Sequence, residues 1–317
     1  MYGDLGINKA FHILRNYCKQ ENFMGNNYGI VIVTYNPNLD ELNKKVDKYT
    51  IDSNALVVIV NNGGKLNISE HPNLIIKNLG KNMGIAYAQN IGVNYLQEKG
   101  IDLAFLLDQD TKLGKKYFEQ MLKKWQSLKI KDSKLAVLSP VAFDRKTKKL
   151  LSTKYLVNDN LKIEFLQSGD KYNTLPISSG ILVDTNIFEE IGGNCSEYFI
   201  DWVDFQFDLD IIDAGYHVYT TSEIRINHQI GNASTRKLLW KTIHPSNHSA
   251  FRNYYFFRNG ILFMNKNRLH KFVKKFVIIA LLKRFICIFY EENKINKIKA
   301  MINGIKDARK IIMNEEY

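Results

Sequence analysis

Short apolar, β-branched runs alternate with amphipathic stretches through the first 130 residues. Residues 29–34 (GIVIVT) are apolar on both faces and end at Tyr35-Asn36-Pro37, which stops a strand. Residues 39–50 then follow helical spacing. ALVVIV at 55–60 predicts a second buried strand, halted by Asn61-Asn62-Gly63-Gly64, and LII at 74–76 a short third. Helical periodicity returns over 84–98, where Ile85, Ala88, Ile91, Gly92 and Tyr95 recur. LAFLL at 103–107 predicts a fourth strand and 115–128 another helix. Strands buried on both faces and alternating with helices predict an α/β fold, a mostly parallel central sheet flanked by helices.

Ligands of such sheets bind beyond the carboxyl ends of the strands. Three polar clusters fall there: Thr34-Tyr35-Asn36, Asn61-Asn62-Gly63 and Asp108-Gln109-Asp110. No GxGxxG follows the first strand and no GxxxxGK[ST] occurs, which speaks against hydride transfer and against a P-loop NTPase. Taken alone, Asp108-Gln109-Asp110 reads equally as an acidic turn after a buried strand or as a seat for a metal and a phosphorylated substrate.

Composition adds the outline. The chain has 317 residues, 45% hydrophobic, with only five prolines and no Gly/Ser-rich linker, so one compact body with appended segments is expected. Its three cysteines, Cys18, Cys195 and Cys287, are far apart and form neither a metal pattern nor a disulfide framework, which fits a reducing cytoplasm. Residues 1–27 show no secretory h-region. Their spacing of Ile7, Phe11, Leu14 and Tyr17 predicts a short amphipathic helix for packing on the body or on a second subunit.

The net charge of +12 is concentrated late in the chain. From Asn265 to Arg284 there are seven Lys or Arg residues and no acid, interleaved with Phe272, Val273, Phe276, Val277, Ile278, Ile279, Leu281 and Leu282. The apolar run inside it is seven residues, well short of a membrane span. A basic amphipathic helix on an anionic membrane surface is expected, with a packing helix that shows a solvated basic face as the plain alternative. No helix-turn-helix, zinc-finger or RNP pattern accompanies the charge, so nucleic acid is not an expected partner.

Eight segments then fall into a recognisable order: IVTYNP (32–37), VNNGG (60–64), LGKNMGIAYAQNIG (79–92), LLDQDT (106–111), SSGILV (178–183), GGNCSEYFIDWVDFQF (192–207), INHQIG (226–231) and RNYYFFRN (252–259). Over roughly 28–260 this set resembles glycosyltransferase family 2, and within it the bacterial rhamnosyltransferase-like enzymes of surface polysaccharide assembly. The resemblance implies a GT-A fold and transfer, with inversion, of a sugar from a nucleoside diphosphate. It favours L-rhamnose from dTDP-L-rhamnose as donor and a polyprenyl-diphosphate-linked glycan as acceptor, at the inner face of the plasma membrane. The alternatives are a UDP-sugar donor (galactose, N-acetylglucosamine or galactofuranose) or a noncatalytic sugar-nucleotide-binding scaffold.

Residue by residue, the resemblance puts Thr34, Tyr35, Asn36, Asn61, Asn82, Gly84, Asp108 and Gln109 at the nucleotide sugar. Asp110 would be the direct ligand of Mg²⁺ or Mn²⁺, with Asp108 and His228 beside it. A divalent cation held by carboxylate oxygens suits a diphosphate leaving group. Asp204 takes the position of the base, with Asp201 as runner-up; three apart, the two would share one side of a helical turn. Ser179, Gly180, Trp202, Arg252, Tyr255 and Arg258 are expected around acceptor and diphosphate. The bland readings are a hydrated acidic helix start for the Asp pair, a core or turn histidine, and a helix whose aromatic residues fill core space.

The implied layout is an N-terminal extension (1–27), a nucleotide-sugar half (28–111), an acceptor half (112–235) and a helical membrane-associating region (236–317). Departures from the family pattern are Asn61 in place of an Asp that meets the base, and Gln206 and Asp210 where an acid and an Arg are usual. Asn194 and Cys195 depart as well.

Overall fold

The computed structural model describes residues 27–53, 55–144, 149–228, 236–238, 241–243, 245 and 247–315. The N-terminal helix expected over 1–27 therefore lies, but for its last residue, outside the described residues.

The strands are β1 (Tyr28–Thr34), β2 (Leu56–Asn61), β3 (Leu74–Asn78), β4 (Leu103–Asp108), β5 (Leu135–Asp144), β6 (Lys149–Leu150), β7 (Thr153–Val157), β8 (Asn160–Glu164), β9 (Asp170–Tyr172), β10 (Ile181–Asp184), β11 (His217–His228), β12 (Arg236–Leu238) and β13 (Lys241–Ile243). The helices are α1 (Leu39–Ser53), α2 (Ile85–Glu98), α3 (Tyr117–Lys131), α4 (Thr185–Glu190), α5 (Val203–Asp213), α6 (Ala250–Lys266), α7 (Val273–Ile288) and α8 (Lys294–Glu315).

One sheet runs β3-β2-β1-β4-β10-β5-β11-β9. β3, β2, β1 and β4 are parallel, β10 lies antiparallel between β4 and β5, and β11 is parallel to β5. The expected mostly parallel, helix-covered sheet is therefore present. Alternation along β1 sorts the two cores: Ile30 and Ile32 pack with Leu42, Val46, Met121 and Trp125, while Val31 and Val33 pack with Ala88, Val93, Leu96 and Phe207. Reciprocal glycines seat α2 on β1. A Cβ on Gly92 would stand 2.3 Å from Val31 Cγ1, and one on Gly29 2.4 Å from Leu96 Cδ2.

A third apolar cluster joins α5 to the C-terminal helices through Trp202, Val203, Phe263, Val273, Val277 and Ala308. Here one expectation changes. The basic stretch 265–284 is not a single helix, because α6 stops at Lys266 and α7 starts at Val273. Asn267 ends α6: its amide donates to Phe263 O (2.8 Å) and to Gln206 Oε1 (2.8 Å). Among the described residues no helix is long and apolar enough to cross a membrane.

Candidate functional site

β1, β2 and β4 deliver their polar ends to one edge of the sheet, and local bonds give each end its shape. Gln109 accepts from Tyr35 N–H (2.7 Å) and donates to Tyr35 O (3.3 Å), so its amide is spent clamping the end of β1. The clamp leaves the Tyr35 ring half exposed, with Asn36 in the left-handed region (φ 47°). Thr34 is fully buried and its hydroxyl has no hydrogen-bond partner among the described residues; its carbonyl accepts from Asn62 N–H.

Asn61 is buried, and its amide nitrogen donates to Gly64 O (2.5 Å) and Asn78 Oδ1 (2.8 Å). Asn62 donates to Asn82 Oδ1 (2.9 Å) and accepts from Met83 N–H (2.7 Å), which ties the loop before α2 to the end of β2. Gly84 (φ 90°) serves a close approach: a Cβ there would stand 2.6 Å from the Phe199 backbone, and Ile85 N–H donates to Phe199 O at 2.7 Å. Asn82 and Gly84 thus join the β2 edge to the segment that carries the Asp pair.

At the end of β4, Thr111 Oγ1 accepts from Asp108 N–H (3.1 Å) and lies 2.6 Å from the buried Ser179 Oγ. Gly180 (φ 83°) accepts from the Tyr117 hydroxyl through its carbonyl, and its N–H donates to Leu106 O. Ser179 and Gly180 therefore brace the Asp108 turn from beneath. Asp110 is exposed and Asp108 half-buried. Lys45, absent from the sequence-based site, donates to Gln109 O beside Asp110 and Asp108. Burial holds its amine below the ordinary lysine range, against the pull of Asp110.

The Asp pair is arranged differently from expectation. Phe199, Asp201 and Trp202 have φ of 58°, 63° and 66°, so Asp201 precedes α5 in a left-handed turn and shares no helical face with Asp204. Such conformations are costly for residues with a Cβ and persist only where the surroundings impose them. α6 supplies that restraint. Arg252 grips Asp201 through Nε (3.1 Å) and Nη2 (2.8 Å). Asn259 donates to the carbonyls of Tyr198, Ile200 (2.8 Å) and Asp201 (3.3 Å), and Arg258 donates to Glu197 O. Trp202 is buried with its N–H on Phe256 O (2.9 Å). Trp202 and Arg258 thus hold the segment to α6. Tyr255 stacks on Phe199 at 4.8 Å. Asn259 is a site-shaping residue that only the RNYYFFRN motif could have flagged.

Asp204 opens the first turn of α5, partly exposed, and accepts from the hydroxyl and backbone N–H of Ser178. Burial pushes its carboxyl up to about 6; Ser178 opposes the shift, and the negative charges of Asp108 and Asp201 add to it. Arg252 contacts Asp201 and also feels the negative charges of Asp204 and Asp108. A cavity of about 260 Å³ is walled by Pro140, Val141, Leu151, Lys154 and Ile177.

The donor set is carboxylate oxygen, which suits Mg²⁺ or Mn²⁺. Among the described residues no three His, Cys, Asp or Glu side chains are grouped to hold a metal alone, so a cation at Asp110 and Asp108 would need phosphate oxygens and water to complete its shell. The His228 side chain lies outside the described residues. The unusual Gln206 and Asp210 are satisfied: Gln206 donates to Asp210 Oδ1 (2.8 Å), which pairs with Lys266 at 3.1 Å.

No known protein-family profile matches the chain. The structure is similar to a solved GalNAc-T7 with UDP, GalNAc and Mn²⁺ (TM-score 0.48, 12% identity, 74% of this chain), and this chain spans 50% of that one. The sequence is 31% identical over 297 residues to the dTDP-rhamnosyl transferase RfbF of Shigella flexneri, a match covering 89% of this chain and 97% of that protein. At that identity and reach, the chain belongs to the rhamnosyltransferase-like glycosyltransferases of family 2.

Proposed function

We propose that this protein transfers L-rhamnose from dTDP-L-rhamnose, with inversion, to a polyprenyl-diphosphate-linked glycan. The observation that carries the transfer is Asp204: a carboxyl held near 6, oriented by Ser178, and set beside the Asp108 strand end. A base of that strength is ionised at neutral pH and still accepts a proton effectively. Asp204 takes the proton of the acceptor hydroxyl as that oxygen attacks the anomeric carbon. Arg252 holds Asp201 aside and balances its charge.

Asp110 with Asp108 would hold Mg²⁺ or Mn²⁺, which when bound neutralises the charge growing on the departing diphosphate. Tyr35 offers an exposed ring for stacking the base. With its amide nitrogen committed to Gly64 and Asn78, Asn61 presents its carbonyl oxygen to the base N3–H. The rhamnose and thymidine assignments rest on the similarity to the Shigella flexneri dTDP-rhamnosyl transferase.

Membrane attachment is supported by the outer face of α7. Ile278, Ile279, Leu282, Ile286 and Phe289 are all exposed at helical spacing, with exposed Lys274, Lys275 and Lys283 among and beside them. An apolar stripe edged by lysines suits an anionic bilayer surface at the inner face of the plasma membrane. We read 28–111 as the nucleotide-sugar half, 112–235 as the acceptor half and 236–317 as the membrane-facing part.

The test is a panel of dTDP-rhamnose, UDP-galactose, UDP-N-acetylglucosamine and UDP-galactofuranose with Mg²⁺ or Mn²⁺, scored by binding and by hydrolysis. Metal-dependent turnover of dTDP-rhamnose alone is expected. Turnover of a UDP-sugar instead would move the donor, and binding without turnover of any would favour a scaffold.

A further inference from the structure

Arg252 reaches the Asp pair from the first turn of α6, and a charged cluster buried in the C-terminal helices fixes that turn. Glu291, in the turn between α7 and α8, is 1% exposed at its side chain. It accepts from Arg284 Nη1 (2.7 Å) and Nη2 (2.6 Å), from Lys297 Nζ (2.9 Å) and from Asn247 N–H (2.8 Å). Both cations also reach the start of α6. Arg284 Nε donates to Asn253 Oδ1 (2.7 Å), and Lys297 Nζ donates to Asn247 Oδ1 (3.1 Å). Asn253 in turn donates to His248 O (3.2 Å) and Ser249 O (2.9 Å). Ser249 caps α6 by accepting from Arg252 N–H (3.2 Å). Arg252 is thus bracketed by Asn247 and Asn253, both anchored to the same cluster.

Burying two cations and one carboxylate carries a large desolvation cost, and apolar residues could pack these helices as well. The cluster does what apolar packing cannot: it holds Asn247 in the left-handed region (φ 52°) and sets the rotation of the first α6 turn. On the proposed transfer reading, we infer that Glu291, gripped by Arg284 and Lys297, is a positioning residue that keeps Arg252 on Asp201 and so holds Asp204 in register. Glu291 reaches the chemistry only through that chain of contacts.

The test compares Lys297→Met, Glu291→Gln and Arg252→Ala. Lys297→Met leaves the Arg284–Glu291 pair intact, so the fold has a neutral pair to keep even if Glu291→Gln fails to fold. With dTDP-rhamnose and Mg²⁺, Lys297→Met should lower kcat about tenfold while KM stays within about twofold, as a displaced catalytic group would. In the Arg252→Ala background the same change should have no further effect, and amide exchange over 199–202 should speed up in Lys297→Met. An unchanged kcat, a rise in KM alone, a multiplicative loss in the Arg252→Ala background, or unchanged exchange over 199–202 would overturn the inference. If the wild-type chain turns over no nucleotide sugar, the proposed function fails, and the exchange measurement still decides whether the cluster holds the segment.

Discussion

The Arg252 guanidinium meets the Asp201 carboxylate with two parallel donors, three residues ahead of Asp204. Lysine cannot make that fork. Arg252→Lys should therefore free Asp201 to approach Asp204 and lower kcat about ten- to a hundredfold. Steady-state kinetics check it; a wild-type kcat would remove Arg252 from the site.

Asp204→Asn should lower kcat about a hundred- to ten-thousandfold, with donor affinity kept within a few-fold. In the wild type, kcat/KM should fall below about pH 6 as the carboxyl gains its proton. Stability should move the opposite way. Between roughly pH 4, where an unfolded Asp titrates, and about 6, the folded protein holds a proton that the unfolded chain has released. This group's contribution therefore weakens as pH rises through that window. Asp204→Asn removes the loss and should raise Tm at pH 7. If instead Asp204→Asn keeps full turnover, the base is Asp201.

Much of this was legible in sequence because local chemistry decided it. β1, β2 and β4 are apolar runs stopped by polar turns, and the ends carrying Asn61 and Asp108 come together once the sheet is parallel. Asp201 was misplaced because helical spacing was extended backward across a turn with three positive φ angles. Those angles are imposed from α6, some fifty residues later, by Arg252 and Asn259. The Gln109 clamp was illegible for a related reason: its partner is the Tyr35 backbone, 74 residues away. Lys45 carried no motif at all, and only the packing of α1 over the β4 turn brings it to Asp110.

Asp110→Ala should weaken donor binding in Mg²⁺ or Mn²⁺ by about ten- to a hundredfold and have little effect when chelator is present, because an exposed carboxylate acts mainly through the cation. Titration calorimetry with and without metal distinguishes the two cases. Equal weakening in both would place Asp110 on the nucleotide itself.

Gly92→Ala should destabilise the fold by about 1–3 kcal/mol, since the added methyl meets Val31 Cγ1 at 2.3 Å in a packed strand–helix contact. Pairing it with Val31→Ala should return part of the loss. Denaturant midpoints check both; an unchanged midpoint in Gly92→Ala would mean that α2 shifts freely on the sheet.

The exposed face of α7 makes the membrane proposal directly measurable. Leu282 and Ile279 are 55% and 41% exposed, so Leu282→Glu with Ile279→Glu removes apolar contact with little effect on the core. The two acids also oppose Lys275 and Lys283 electrostatically. Binding to vesicles containing anionic lipid should fall about tenfold or more in flotation, with Tm and hydrolysis of soluble donor unchanged. Lys274→Gln with Lys275→Gln should weaken binding mainly at low salt, because only the charge contribution is screened. Wild-type flotation in both variants, or no flotation of the wild type, would return α7 to the role of a packing helix with a solvated basic face.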